Sequence, residues 1–383
     1  MIPLCVPNLR GAEWELVRQC VEGEWVSYAG EFVGKFETMS AEYVGAAQAV
    51  VTVSGTSALH LSLILAGVEA DDEVLMPALS FVAPANAIRH CHAWPTFIDV
   101  SPDTWQWDLD LVEKFLREDC SPGPDGLANR HTGRRVAALL PVHLLGSMAD
   151  VSRLVALSAE FGLPLIEDAA EAFGARWNGG GIGAPVEGDD RILRLVCTSF
   201  NGNKIMTTGG GGAIFSNDPA VAARARHLST TAKTNVIEFD HDEVGYNYRL
   251  TNMAAALGVA QLAQMDGFVA SKRRIAAAYD EAFRGTPGIL GSVPAVPHVS
   301  SNHWLHTILL DRNSRPLLQH LASQGIQSRP LWKLLSSLPF LSSCHIHSDQ
   351  FSRHLVENAL SIPCSTSLTE EDQATVIAAI KAF

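Results

Sequence analysis

Several features are missing from this chain. None of its seven cysteines, Cys5, Cys20, Cys91, Cys120, Cys197, Cys344 and Cys364, forms a CxxC pair. An odd, scattered set argues against a disulfide framework and for reduced thiols in a cytoplasmic protein. No apolar run reaches the roughly 18 residues of a membrane span, so none is expected. The first residues, Met1 to Pro7, lack the basic segment and apolar core of a signal peptide. Positive charge is short too: Lys and Arg number 28 against 41 Asp and Glu, a net charge of −13. That disfavours nucleic acid and anionic membrane surfaces as partners, because both need clustered cations. A small anionic substrate stays open, since a pocket can differ from the overall balance.

With 383 residues, 47% hydrophobic and 18% charged, the chain is an ordinary globular one with room for two or three domains. Short apolar runs at 50–53, 73–76, 95–100, 136–142, 163–166 and 195–198 read as strands. Helical patterns at 56–68, 85–90, 109–117 and 151–161 lie between them. The runs are continuous rather than alternating, which predicts a mostly parallel sheet covered on both faces, an α/β fold. In such sheets function gathers at the carboxyl ends of the strands. Residues 121–133 read as an exposed loop, and 261–283 as one long amphipathic helix. The division of domains is placed at 1–255 and 256–383.

Lysine is scarce, and Lys204 stands apart from the others. It follows a buried-looking strand in Ser199-Phe200-Asn201-Gly202-Asn203-Lys204 and precedes Thr207-Thr208-Gly209-Gly210-Gly211-Gly212. A lysine so placed can form a Schiff base; taken alone, it reads first as a surface-loop lysine. Ile166-Glu167-Asp168-Ala169-Ala170-Glu171 ends an apolar strand in carboxylates. Asp168 there suits either the partner of a protonated ring nitrogen or a helix N-cap. Ser54-Gly55-Thr56-Ser57 follows a strand and opens a helix, which makes a phosphate cradle or a plain capped start. Together, in this order on one sheet edge, the three supply what pyridoxal 5'-phosphate needs. His90-Cys91-His92 and Cys344-His345-Ile346-His347 are spaced like metal ligands but lack a second half, and no metal is expected.

The chain resembles the DegT/DnrJ/EryC1/StrS sugar aminotransferases over nearly its whole length. The matching motifs include Trp25-Val26-Ser27-Tyr28-Ala29-Gly30, Ser54-Gly55-Thr56-Ser57-Ala58-Leu59, Leu79-Ser80-Phe81-Val82-Ala83-Pro84 and Pro141-Val142-His143-Leu144-Leu145-Gly146. Glu167-Asp168-Ala169-Ala170-Glu171, the run from Ser199 to Gly212 and Gly245-Tyr246-Asn247-Tyr248-Arg249-Leu250 complete the set. The resemblance implies the fold-type I architecture of aspartate aminotransferase, with a large domain and a smaller C-terminal α/β domain. It implies pyridoxal 5'-phosphate as cofactor, Lys204 as the Schiff-base residue and Asp168 on the ring nitrogen. Gly55, Thr56, Ser57 and Ser199 would hold the phosphate, and Phe81 would stack on the ring. Asn247, with Arg249, would reach the phosphate of a neighbouring subunit in a homodimer with shared active sites. Glu171 stands where many members have Gln, near the cofactor's phenolic oxygen, and the glycine run lacks the Glu that many members carry.

The runs Ser199–Gly212 and Gly245–Asn252, with the tail segments Ser301-Asn302-His303-Trp304-Leu305 and Arg329-Pro330-Leu331-Trp332-Lys333-Leu334, resemble a subgroup that aminates C4 of UDP-linked 2-acetamido-4-keto-2,6-dideoxyhexoses. By that resemblance His303, Trp304, Arg329, Trp332, Lys333 and Arg249 are candidate contacts of a nucleotide-sugar substrate, with glutamate as amino donor. Alternatives are a dTDP- or GDP-linked keto sugar, aminated at C3 or C4, a related dehydratase, and a non-catalytic regulator of the same fold. The dehydratases carry His in place of the lysine, so Lys204 counts against that reading.

Overall fold

The protein is described here from a computed structural model covering residues 1–235 and 237–383. The apolar runs build a seven-stranded sheet: β1 (Gln48–Thr52), β2 (Glu73–Pro77), β3 (Trp94–Ile98), β4 (Val136–Leu139), β5 (Leu165–Asp168), β6 (Arg194–Ser199) and β7 (Gly212–Ser216). The strand order is β1-β7-β6-β5-β4-β2-β3, with β7 antiparallel to both β1 and β6 and the remaining pairs parallel. Alternate residues of a strand point to opposite faces, and both faces are apolar. Val51, Leu75, Val196 and Phe215 pack with Phe36, Val155 and Phe200 on one side. Val50, Met76, Ile166, Cys197 and Ile214 pack with Leu59, Leu63 and Leu228 on the other. Each such side chain contributes about 1.5–3 kcal/mol by burial, so this double core can hold irregular loops rigid at the sheet edge.

Helix α1 (Gly55–Leu65) follows β1 and is capped by Ser54, whose side chain accepts from the Ser57 amide. Its apolar residues run all round because it lies within the core rather than on the surface.

Two expectations are corrected. The long helix read over 261–283 is two helices, α2 (Asn252–Leu262) and α3 (Met265–Phe283), bent by 59°. The amphipathic period runs through the bend. A distant carboxylate brackets the break: Glu13 accepts from the side-chain amides of both Gln261 and Gln264, at 2.7 and 2.6 Å. The stretch 121–133, read as a loop, holds a hairpin of Cys120–Gly123 with Gly126–Asn129. Pro124 and Asp125 form its turn, and Gly126 takes a left-handed φ of 123° that β-carbon-bearing residues resist.

The C-terminal part of the chain holds a four-stranded antiparallel sheet of β8 (Ile289–Ser292), β9 (His306–Leu310), β10 (Arg329–Pro330) and β11 (Ala359–Ile362), in the order β8-β9-β11-β10. Ile308, Leu310, Leu360 and Ile362 pack there against Ile275, Tyr279 and Phe283 of α3. The other end of α3, at Met265, Phe268 and Val269, packs in the large core. The residue 255/256 division falls inside α2, and α3 is the element that spans both cores. The N-terminus joins the second lobe through an Ile2–Ile326 bridge. Among the described residues no single helix is long and apolar enough to cross a membrane.

Candidate active site

Parallel strands deliver their carboxyl ends to one edge. Register places Thr52 beside Gly212, Gly212 beside Ser199, and Cys197 beside Asp168, so β1, β7, β6 and β5 present their ends together. Helix α1 starts at that edge, and its first amides have no intrahelical acceptor. The Ser54 cap takes the Ser57 amide at 3.0 Å, and the Ser54 hydroxyl lies 2.8 Å from that of Ser57. The amides of Gly55 and Thr56 stay available for an anion. A β-carbon on Gly55 would sit 2.8 Å from the Ser199 β-carbon, so glycine is what lets α1 dock on β6.

Beyond Ser199 the chain folds into a tight loop around Phe200. The Phe200 amide donates to Gly211 O at 2.8 Å, and its carbonyl accepts from the Thr208 amide at 3.0 Å and the Thr207 hydroxyl at 3.1 Å. Phe200 itself is anchored in the core. The loop thereby aims Lys204 back over the edge. Lys204 Nζ lies 3.8 Å from Glu171 Oε1 and 4.1 Å from the centre of the Trp304 ring.

Glu171 is buried, and its Oε2 accepts from the Leu145 amide at 2.7 Å. Burial pushes its carboxyl up to about 7, with the nearby Lys204 charge opposing. Asp168 is also buried; its Oδ1 accepts from the Ala170 amide at 2.9 Å. Burial raises its pKa, against the opposing pull of the Ala170 amide, Lys204 and His143.

Sequence reasoning missed the support behind Asp168. The His143 amide donates to Asp168 O at 3.0 Å. His143 Nδ1 accepts from the Ala149 amide at 3.1 Å, which leaves Nε2–H to donate to Glu167 Oε2 at 2.8 Å. The other Glu167 oxygen accepts from Arg194 Nε at 2.6 Å. Burial opposes the Glu167 charge, yet Arg194 and His143 prevail and hold its pKa at about 2. The available signal was a carboxylate and an arginine inside otherwise apolar strands.

The second lobe closes the site. Asn302 donates through its side chain to the carbonyls of Glu171 and Phe173, both at 2.8 Å, and through its amide to Gly146 O at 2.9 Å. Asn302, also missed, thus ties the segment carrying Trp304 to the segment carrying Glu171. Trp304 Nε1 donates to Asn203 O at 2.7 Å, and its ring stacks on Trp332 with centres 6.5 Å apart and planes 7° off parallel. His303 is half-buried with a left-handed φ of 50°, and burial lowers its pKa.

The other candidates lie as follows. Phe81 is 51% exposed, immediately before the helix Ala83–His90. Asn247 is exposed and bridges Thr230 through its backbone. Arg329 and Lys333 are exposed on the second lobe, on either side of Trp332. Arg249 is not a free cation: its Nη1 donates to Glu37 Oε1 at 2.5 Å and to Val51 O at 3.2 Å, and the side chain is buried. The histidine pairs are engaged elsewhere, His90 edge-on to His60 and His345 Nδ1 at 3.0 Å from Asn129 Nδ2.

Residues 7–381 match the DegT/DnrJ/EryC1/StrS aminotransferase family. EpsN of Bacillus subtilis (strain 168) is 35% identical over 98% of this chain and 94% of its own length. The GDP-perosamine synthase of Escherichia coli O157:H7 is 32% identical over 100% of this chain and 98% of its own. Among solved structures, the aminotransferase TlmJ from Streptoalloteichus hindustanus superposes with a TM-score of 0.88 at 29% identity, covering 100% of this chain and 98% of TlmJ.

Proposed function

Because this chain belongs to the DegT/DnrJ/EryC1/StrS family of pyridoxal phosphate-dependent sugar aminotransferases, we propose that it transfers an amino group from glutamate to C4 of a nucleotide-linked 4-keto-6-deoxy sugar, UDP-2-acetamido-4-keto-2,6-dideoxyhexose in particular. The architecture is fold-type I. The observation that carries the reading is Lys204 Nζ, held 3.8 Å from a buried carboxylate at the strand edge that also bears Asp168.

The residues fit the cofactor. The available amides of Gly55 and Thr56 at the start of α1, with the Thr56, Ser57 and Ser199 hydroxyls, suit its phosphate. The buried Asp168 carboxyl suits a protonated ring nitrogen, since a cation there would favour its charged form. When bound, pyridoxal phosphate supplies the electron sink that lets a proton leave the donor carbon. Lys204 takes and returns that proton. Glu171, with a pKa raised to about 7 by burial, is poised between its protonated and ionised forms beside Lys204 at neutral pH. Trp304 and Trp332 wall the site and cover the sugar or base, and the exposed Arg329 and Lys333 meet the diphosphate. The exposed Phe81 would stack on the cofactor ring, and the exposed Asn247 would reach the site of a second copy in a homodimer.

The two half-reactions share one site, so the kinetics are ping-pong. A GDP-linked sugar is the second reading, supported by the likeness to GDP-perosamine synthase. The test is a panel of UDP-, dTDP- and GDP-linked 4-keto sugars assayed with glutamate. The highest kcat/KM belongs to the UDP-linked N-acetylated sugar, because a pocket that hydrogen-bonds the acetamido group rejects analogues lacking it. A preference for the GDP sugar replaces the first reading with the second. No turnover of any of them overturns both.

A further inference from the structure

Two cysteines and a lysine from three distant parts of the chain meet behind the active site. Lys272, on α3, is 1% exposed. Its Nζ donates to Trp304 O at 2.8 Å and lies 3.5 Å from the sulfurs of both Cys5 and Cys364. The backbones carrying the two cysteines are tied together: the Cys364 amide donates to Leu4 O at 2.8 Å, and the Val6 amide to Ser365 Oγ at 3.1 Å. Cys5 Sγ also contacts Asn203 O at 3.6 Å, next to Lys204. No carboxylate hydrogen-bonds Lys272, so the sulfurs are its only candidate anionic partners among the described residues. A buried ammonium without an anion is costly, which favours one thiolate in the cluster.

We propose that Cys5, Cys364 and Lys272 form a dithiol redox site that reacts with hydroperoxides, with Cys5 as the attacking thiol and Cys364 as the resolving one. The Cys5 thiolate attacks one peroxide oxygen; the S–O bond forms, the O–O bond breaks, and hydroxide leaves and is protonated to water. The Cys364 sulfur then attacks the Cys5 sulfur. The S–S bond forms, the S–O bond breaks, and a second water departs with the Cys364 proton. Two thiols are oxidised by two electrons, and one hydrogen peroxide is reduced to two waters.

The electrostatics assign the roles. The neighbouring Cys364 thiol, together with the Lys272 charge, outweighs burial and lowers Cys5 to about 6, while Cys364 is held well above the ordinary thiol value. Cys91, Cys120 and Cys344 are pushed up by burial and lack a cationic hydrogen-bond partner, so they are the slower thiols. Cys5 is only partly buried, within reach of a molecule as small as peroxide.

The test uses the reduced full-length holoenzyme, treated with hydrogen peroxide, its remaining thiols blocked with N-ethylmaleimide and its peptides mapped by mass spectrometry. A Cys5–Cys364 disulfide is the first product, reversed by dithiothreitol. In Cys364→Ser the Cys5 sulfenic acid persists and is trapped by dimedone. Lys272→Met slows Cys5 oxidation at neutral pH by about tenfold or more, since the thiolate fraction falls when the ammonium is removed. If that variant does not fold, the pH profile of the parent decides: half-maximal reactivity near 6 supports the proposal, and half-maximal reactivity at the ordinary thiol value overturns it. It is equally overturned if Cys5 stays reduced while another cysteine reacts first, or if Cys5 becomes linked to Lys272 instead of Cys364.

Discussion

Glu171 keeps its proton up to a pH of about 7 because burial penalises its charge, whereas the unfolded chain releases that proton near 4.5. Across that window the native state binds more protons, so stability falls as pH rises. The difference between about 4.5 and about 7 corresponds to about 3 kcal/mol. Glu171→Gln removes this slope: in the cofactor-free protein, the Tm of the variant relative to the parent is higher at about pH 8 than at about pH 5. An equal difference at both values would show that the carboxyl is charged throughout. Glu167 behaves in the opposite sense. Its pKa is depressed to about 2, so its contribution is present above about 4.5 and is lost as pH falls toward 2. Glu167→Gln removes the nearer of the two carboxylates on the buried Arg194, leaving Asp189 at 3.4 Å, and urea unfolding at neutral pH should show a loss of about 1.5–3 kcal/mol. Both residues stand in one short motif, and the sequence shows their types. Their opposite ionisation depends on whether an arginine or a lysine faces them, and that is a tertiary fact.

At the level of elements, the phosphate cradle depends on how closely α1 approaches the sheet. A β-carbon on Gly212 would lie 2.6 Å from the Gly55 nitrogen and 2.6 Å from Ser54 O. Neither backbone atom can move without carrying the start of α1 away from β6. Gly212→Ala should therefore lower stability by about 1–3 kcal/mol, seen in the Tm, and weaken cofactor binding in an absorbance titration. Unchanged cofactor affinity would mean that the α1 start does not hold the phosphate. The strand–glycine–helix pattern of this element was readable from residues 50–68, because the period and the punctuation are local. The bend between α2 and α3 was not, because no Pro or Gly stands at the Ala263-Gln264 junction and the Glu13 contact that brackets it comes from about 250 positions away.

For the whole molecule, the prediction concerns assembly. Asn247 is exposed, and Phe81, Trp25 and Tyr28 are exposed aromatics suited to a covered surface. Lys204→Ala and Asn247→Asp should each be inactive alone. Dissociated, mixed and reassociated, they should regain about a quarter of parental activity, because half of the dimers are mixed and each mixed dimer has one intact site. A fully active monomer by sedimentation would exclude a shared site.

The sequence by itself determined the mostly parallel sheet and the order in which it presents a glycine-opened helix, an acidic strand end and a lysine loop. These are encoded locally: continuous apolar runs require covered strands, and βα units bring their strand ends to one edge. Only the tertiary structure decided which distant side chains meet there. It committed Arg249 to Glu37, laid Trp304 against Lys204, linked His143 through Glu167 to Arg194, and gathered Cys5, Lys272 and Cys364. The Arg249 and Glu167 pairings join distant segments within the large sheet's core, the Trp304 and cysteine contacts follow from how the second lobe docks on it through α3 and Asn302, and no periodicity within any one segment carries that information.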